Sequence, residues 1–342
     1  MEGEGVSQVV LLLFSIAAIS AAQVCPNKGS PKLFVFGDSY VDTGNWPKNV
    51  SGTWKEPFGL TFPGKPDGRA SDGRVLTDHI ASFLGIESPT PYHLMKDDAS
   101  RNTQQGLNFA YGGSGVFPTT WTWTIDSLTA QINHFDQILK ENEYSQRDLD
   151  NSVALVSTGA NDYQFYFTAM KGFKDGLPAF TEGLVNQLAA DLQRINHLGV
   201  KKIAVATLPP LGCLPLNIIP PNSYQNCDEE SNRIAMIHNQ LLQKAVEKLN
   251  TDDGNKCTFV ILDLYNAMVS AIAQFRQGAE NTEYKNPLQP CCFKIVDFMC
   301  AVDGVCADPK SSFFFDQGHP SDNGWNAIYS FLQGSLDKEL RV

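Results

Sequence analysis

The sequence predicts an α/β fold of three layers, with helices covering both faces of an open, five-stranded, mostly parallel, doubly wound sheet. Three observations predict it. Short runs that are apolar throughout recur along the chain, as strands buried on both faces require. Stretches with helical periodicity separate them, and that alternation marks parallel βαβ units. No linker, internal repeat or low-complexity block divides the 342 residues, of which 42% are hydrophobic and 18% charged. One core is the simplest account.

The chain opens with an uncharged apolar run, Val9–Ala22, that ends in small side chains. The run is too short to span a bilayer and has the length of a signal-peptide core, although the acidic segment before it lacks the usual Lys or Arg. Residues 1–22 are therefore expected to be a signal peptide and 23–342 a single secreted domain. Leu33–Phe36 reads as the first buried strand. Val75–Leu84 follows as a helix, Leu107–Ala110 as a short strand, and Asp126–Glu141 as a helix for which Asp126 offers a cap. Ser152–Ser157 is the third strand, and Thr181–Leu198 a helix stopped by Gly199. Lys202–Leu208 is a strand ended by Pro209-Pro210. Glu229–Asn250 is a long helix, Thr258–Leu262 the last strand, and Leu264–Phe275 and Ser321–Leu332 are the closing helices. Trp46–Asp72 and Lys285–Ser312 are long irregular stretches, and such stretches in a compact domain are usually functional or cross-linked.

In open α/β sheets, ligands bind beyond the carboxyl ends of the strands. Four loops there carry reactive residue types. Phe36-Gly37-Asp38-Ser39-Tyr40 follows the first strand, with a glycine that permits a sharp turn and presents Ser39 at the sheet's edge. Asp316-Gln317-Gly318-His319-Pro320 precedes the last helix. A carboxylate three residues before an imidazole can accept the Nδ1–H of His319, which leaves Nε2 as a base. Asn108–Gly115 and Thr158–Asp162 follow two further strands. Their glycines let a backbone N–H approach a reacting oxygen, and the Asn161 amide is a further donor. Taken alone, the Gly-Asp-Ser loop and the two glycine loops are better read as turn chemistry, and the Asp316–His319 pair is equally well read as a surface ion pair.

Taken together, the order Gly-Asp-Ser, Asn…Gly-Gly, Gly-x-Asn and Asp-x-x-His resembles the GDSL family, also called SGNH hydrolases, over roughly Lys32 to Leu332. Phe-Gly-Asp-Ser-x-x-Asp-x-Gly-Asn at residues 36–45, the run GRASDGRV at Gly68–Val75, and Asn108-Phe109-Ala110 are similar to its plant GDSL esterase/lipase branch. The resemblance implies a flavodoxin-like SGNH fold and a serine hydrolase of carboxylic acyl esters. Ser39 would be the nucleophile, His319 its base and Asp316 the partner of that base. Ser39, Gly113 and Asn161 would form the oxyanion hole, with the Gly112-Gly113 run leaving the middle donor open by one residue. Tyr40 stands where the family's name has Leu. No metal or organic cofactor is implied. Two rivals remain in view: an acyltransferase that uses the same acyl-enzyme with an alcohol acceptor, and an idle carbohydrate- or partner-binding protein. The intact set Ser39, Asn161, Asp316 and His319 argues against the second.

A net charge of −11 argues against nucleic acid and anionic membrane surfaces as partners. No later apolar run is long enough for membrane insertion, so the expected partner is a small-molecule or lipid ester. Nothing in the sequence sets the oligomeric state. The eight cysteines, Cys25, Cys213, Cys227, Cys257, Cys291, Cys292, Cys300 and Cys306, follow the leader and point to disulfides of unspecified pairing. Asn49-Val50-Ser51 is a glycosylation sequon in a Pro/Gly-rich region. Gly59–Lys65 begins like a phosphate loop, but Pro66 replaces the required Ser or Thr. His79, His93, His134, His197 and His238 have no Asp at useful spacing and read as packing or surface residues. Phe117 and the nearby Trp121 and Trp123 are either lining for an acyl pocket or plain core.

Overall fold

The computed structural model describes residues 31–98, 100–119, 125–168, 174–218, 224–254, 258–278, 286–296 and 299–340. The expected leader, Cys25, Cys257, Trp121 and Trp123 lie outside them. Six strands form the main sheet: β1 (Lys32–Gly37), β2 (Thr90–Pro91), β3 (Leu107–Asn108), β4 (Ser152–Ser157), β5 (Lys202–Ala206) and β6 (Phe259–Leu262). Their order is β2-β3-β1-β4-β5-β6, and every neighbouring pair is parallel.

The five expected strands are all present, and the count is corrected to six by β2. That edge strand is two residues, Thr-Pro, too short to show an apolar pattern and ending in a residue that sheets accept only at their margins. β3 stops at Asn108 rather than Ala110; beyond it Phe109 and Tyr111 still donate to the Val35 and Gly37 carbonyls of β1, while the Asn108 Oδ1 accepts the Ala110 N–H at 2.9 Å.

The helices are α1 (Leu76–Phe83), α2 (Tyr92–Asp97), α3 (Leu128–Lys140), α4 (Gln146–Asp150), α5 (Ala160–Thr168), α6 (Leu177–His197), α7 (Glu229–Asp253), α8 (Leu264–Gly278) and α9 (Asp322–Glu339). α3 packs on α6 and α6 on α7, while α1 and α8 both pack on α9. These two groups are the outer layers. Between them Leu33, Phe34, Val35 and Phe36 of β1 are wholly buried, as are Val153–Val156 of β4. Each such Leu, Val or Phe side chain contributes about 1.5–3 kcal/mol of burial. α3 starts one turn position later than expected, because Ser127 and not Asp126 caps it, accepting the Ala130 N–H. α5 was not anticipated, since its sequence ANDYQFYFT presents no apolar stripe. Among the described residues no helix is long and apolar enough to cross a membrane.

The two irregular stretches are folded against each other. Cys291–Cys306 and Cys292–Cys300 cross-link the second, around a small antiparallel pair, β7 (Ile295–Val296) and β8 (Met299–Cys300). Phe58 from the first stretch packs into this disulfide cluster beside Phe315. Cys213–Cys227 closes a third loop. Among the described residues no cysteine is free. Closing a loop of about 15 residues is worth roughly 3 kcal/mol in the chain-entropy account.

Candidate active site

β1 delivers the chain to Gly37, whose φ of +136° lies in the left-handed region. A Cβ there would stand 1.8 Å from the Ser157 carbonyl oxygen of β4. Only glycine lets β1 press this closely on its neighbour while the chain turns. The Asp38 N–H donates to that same carbonyl at 3.0 Å. On the other side the Tyr111 N–H donates to the Gly37 carbonyl at 2.9 Å. The loops after β1, β3 and β4 are thus tied together where the strand order switches direction, the place where such sheets bind ligands. Gln131 of α3 reinforces the junction: its Oε1 accepts the Gly37 N–H, and its Nε2 donates to the Gly37 carbonyl and to Ser114 Oγ.

Ser39 follows, nearly buried, with its Oγ 2.7 Å from His319 Nε2. The His319 Nδ1 lies 2.8 Å and 2.9 Å from the two Asp316 carboxylate oxygens. Asp316 Oδ1 also accepts the backbone N–H groups of Gly318 and His319, each at 2.9 Å. The turn therefore folds around its own carboxylate. It is anchored from below as well: Cys291 and Cys292 donate to the carbonyls of Phe314 and Phe315, and the Phe315 N–H donates to the His319 carbonyl. The disulfide cluster is the footing of the His319 turn. Tyr40, the departure from the family's motif, reaches over the same turn. Its hydroxyl donates to the Gly318 carbonyl at 2.8 Å, and its ring meets His319 and Trp325 edge-on.

Burial of the His319 ring opposes its charged form, but Asp316 and Asp38 outweigh this and leave its pKa above the ordinary 6.5. Burial pushes the Asp38 carboxyl up to about 7 despite the Tyr40 N–H and the pull of His319.

The other expected site residues are placed as follows. Asn161 lies in the first turn of α5 and donates its amide to the Ser114 carbonyl at 2.9 Å, which holds the side chain across the loop after β3. Asp162 next to it accepts the N–H groups of Val116 and Phe117, fixing the far end of that loop, and burial raises its carboxyl to about 7. Gly112 donates its N–H to Asp42 Oδ2 at 2.9 Å. Asp42 also takes the N–H groups of Gly44, Asn45 and Trp46. Gly113 turns with φ +84°, and its carbonyl accepts the Thr119 hydroxyl.

A cavity of about 370 Å³ opens beside Ser39, lined by Ser39, Asn161 and His319 on one side and by Tyr163, Phe167, Leu211, Leu214, Leu216 and Ile234 on the other. Gly113 is not in its lining. Neither is Phe117, which packs against Phe180.

One expectation is overturned. His93 and His134 do have an Asp partner: both Nε2 atoms meet Asp126 Oδ2, at 3.1 and 3.2 Å. Their hydrogen bonds hold the Asp126 carboxyl well below the usual range. The pairing escapes the sequence because 33 residues separate His93 from Asp126. The Asp126 carbonyl in turn accepts the Ser114 hydroxyl, so the trio braces the loop after β3. His238 remains a packing residue, wholly buried under Gly159, paired with the Tyr163 hydroxyl and driven by burial to a pKa of about 3. Of the two residues that organise the loops, Asp42 stands in the Phe-Gly-Asp-Ser-x-x-Asp-x-Gly-Asn motif, which named it without giving it a role, and Gln131 carries no sequence signal beyond its type.

The GDSL-like Lipase/Acylhydrolase family matches residues 33–332. The GDSL esterase/lipase At5g03610 of Arabidopsis thaliana is 46% identical over 319 residues, covering 90% of this chain and 88% of its own. The Arabidopsis GDSL esterase/lipase At3g09930 is 44% identical over 315 residues, covering 89% and 88%. Among solved structures, a catalytic mutant of an acetylxylan esterase from Geobacillus stearothermophilus covers 93% of this chain and 98% of its own at 13% identity and a TM-score of 0.42, too remote to weigh here. A family match across nearly the whole fold, with relatives above 40% identity, means that this chain belongs to the GDSL-like lipase/acylhydrolase family and is a carboxylic ester hydrolase.

Proposed function

We propose that the protein is a secreted serine esterase that cleaves acyl esters through an acyl-enzyme on Ser39. The observation that carries this reading is the unbroken hydrogen-bond chain from Asp316 through His319 to Ser39 Oγ. With Asp316 on Nδ1, the free lone pair of the neutral ring lies on Nε2, aimed at the serine hydroxyl. His319 takes the Ser39 proton as Oγ attacks the ester carbonyl, and returns it to the departing alcohol. Water then attacks the acyl group by the same route and frees the acid and Ser39.

The oxyanion is assigned to the N–H of Ser39, the N–H of Gly113 and the Asn161 amide. Gly112 has its N–H committed to Asp42, which favours Gly113 of the two glycines. One Asn161 N–H is held by Ser114, and that bond orients the second. The apolar wall formed by Leu211, Leu214 and Ile234 suits the acyl side of an ester. We assign residues 1–22 to a cleaved signal peptide, 23–342 to one domain, and the site to the cell exterior. The disulfides support that compartment. Asn49 is exposed and is the proposed glycan site.

The test is hydrolysis of a p-nitrophenyl acyl series by the secreted protein and by Ser39→Ala. Activity in the first and none in the second supports the reading. Equal activity in both removes Ser39 from the chemistry.

A further inference from the structure

We propose that a second cleft, separate from the catalytic cavity, binds an anionic carbohydrate chain of the oligouronate type. The cleft encloses about 690 Å³ and shares no lining residue with the catalytic cavity. Lys48, Lys55, Lys65 and Arg101 line it, with Arg69 at its base and Asp67 as its one carboxylate. In a chain of net charge −11 this is a local reversal of sign.

Arg69 is buried and already spent: its guanidinium forks onto Asp78 at 2.9 and 2.8 Å and also meets Asp67. The other four cations are exposed. Among the described residues none of them has a carboxylate oxygen within 4 Å, although Lys65 feels Asp67 and Arg101 feels Asp98 at longer range. Lys48 stands 4.6 Å over the Trp54 ring. Elsewhere Lys140, Lys174, Lys248 and Lys294 each lie against a carboxylate, whereas the exposed Lys96, Lys201 and Lys244 have no ion pair among the described residues, so what distinguishes the four cations is their gathering around one concavity. Unpaired like charges gathered around a concavity repel one another, and an anion seated among them relieves that repulsion.

The shape and the remaining lining name the class. A single small anion needs donors that converge, whereas these four cations are spread around a space with room for a short oligosaccharide, Lys48, Lys55 and Lys65 along the Trp46–Asp72 stretch and Arg101 between α2 and β3. A flat anionic bilayer does not reach the floor of a concave cleft. The half-buried Pro66 and Pro91 offer aliphatic faces, and the half-buried Ser88, whose hydroxyl donates to Asp78, offers an oxygen that can accept, a mixture that a sugar ring with its C–H faces and hydroxyls can meet. Spaced carboxylates on the sugar then answer the spaced cations. The cleft is joined to the active site through consecutive residues: Asp42 holds Gly112, and Thr43 lines the cleft.

The experiment is calorimetric titration of the full-length secreted protein with an oligogalacturonide at low salt. Binding is expected, and it weakens as salt rises because exposed charges are screened. The triple variant Lys55→Glu, Lys65→Glu, Arg101→Glu is expected to bind at least about tenfold more weakly, since each exposed ion pair lost or reversed costs a factor of a few. Its hydrolysis of p-nitrophenyl acetate stays unchanged, which reports a folded protein. A charge-matched control, Lys140→Glu, Lys244→Glu, Lys248→Glu, keeps the binding. Equal affinity in the wild type and the cleft variant overturns the proposal. So does equal binding of a neutral xylo-oligosaccharide, or binding to phosphatidylserine vesicles without binding to the oligogalacturonide. Loss of esterase activity in Ser39→Ala has no bearing on this outcome, so the two readings fail separately.

Discussion

Replacing Asp316 by Asn tests how the His319 turn works. Asn keeps the shape and one oxygen of Asp but exchanges the other oxygen for an NH2 group. Oδ1 accepts the N–H groups of Gly318 and His319, and both oxygens face His319 Nδ1. The Asn oxygen stays with the two backbone donors, so its NH2 meets Nδ1 at the position now 2.9 Å away. Two donors cannot share that contact. The ring relieves it by moving its proton to Nε2, which faces Ser39 Oγ at 2.7 Å and then has no lone pair to accept the serine proton. Loss of the correct tautomer costs about 10⁴ in turnover, or roughly 5.5 kcal/mol of transition-state stabilisation. The pH profile carries a second signature. His319 must be neutral to act as a base, and its raised pKa puts the rising limb of kcat/KM above the ordinary value of 6.5 in the wild type. Removing the Asp316 charge removes the main force that raises it, so the limb moves to lower pH as the plateau collapses. The assay is p-nitrophenyl acetate hydrolysis from about pH 5 to pH 9. A variant that keeps more than about a tenth of wild-type activity, with its limb in place, would refute the argument.

Asn161→Ala removes a side-chain donor and is expected to lower kcat by about 10²–10³ with little change in KM; a loss confined to KM would place Asn161 in ground-state binding instead. Tyr40→Phe keeps the ring against His319 and Trp325 but leaves the Gly318 carbonyl without its 2.8 Å donor. An unsatisfied buried group costs about 1–3 kcal/mol, so calorimetry should show a lower Tm and steady-state kinetics a several-fold fall in kcat. Wild-type values for both would make the hydroxyl dispensable. Stability should also fall as pH rises from about 6 to 8. Burial holds Asp38 and Asp162 at about 7 and Asp42 at about 6, against 3.8 for the free side chain. The folded chain therefore keeps protons that the unfolded chain has already released, and folding loses ground with rising pH until these carboxyls ionise near 6 and 7. His319, raised above 6.5, acts in the same direction, because its stabilising charge is lost as pH rises through its folded pKa. His79 and His238, lowered by burial, act only below about 6.5. A Tm that climbs steadily from pH 6 to pH 8 would contradict this account.

The sequence by itself determined the layered α/β architecture and the loops proposed to bear the chemistry. Both follow from local rules. LFVF and the VALV within SVALVS are apolar throughout because a strand buried on both faces must be, and Gly37, Ser39, Asn161, Asp316 and His319 fall at strand ends or before a helix because that is where such sheets expose side chains. Asp316 and His319 are close in sequence, so even their pairing was readable. What only the tertiary structure decided depends on residues distant along the chain. The Asp126 bond to His93 and the Gly112 bond to Asp42 required the fold to bring separate loops within 3 Å or so of each other. The same holds for the anchoring of the His319 turn on Cys291 and Cys292 and for the gathering of Lys48, Lys55, Lys65 and Arg101 around one cleft. Periodicity reports which face of an element is buried. It carries no record of which side chain a loop will meet across the molecule, because that distance is set by how the strands order themselves in the sheet.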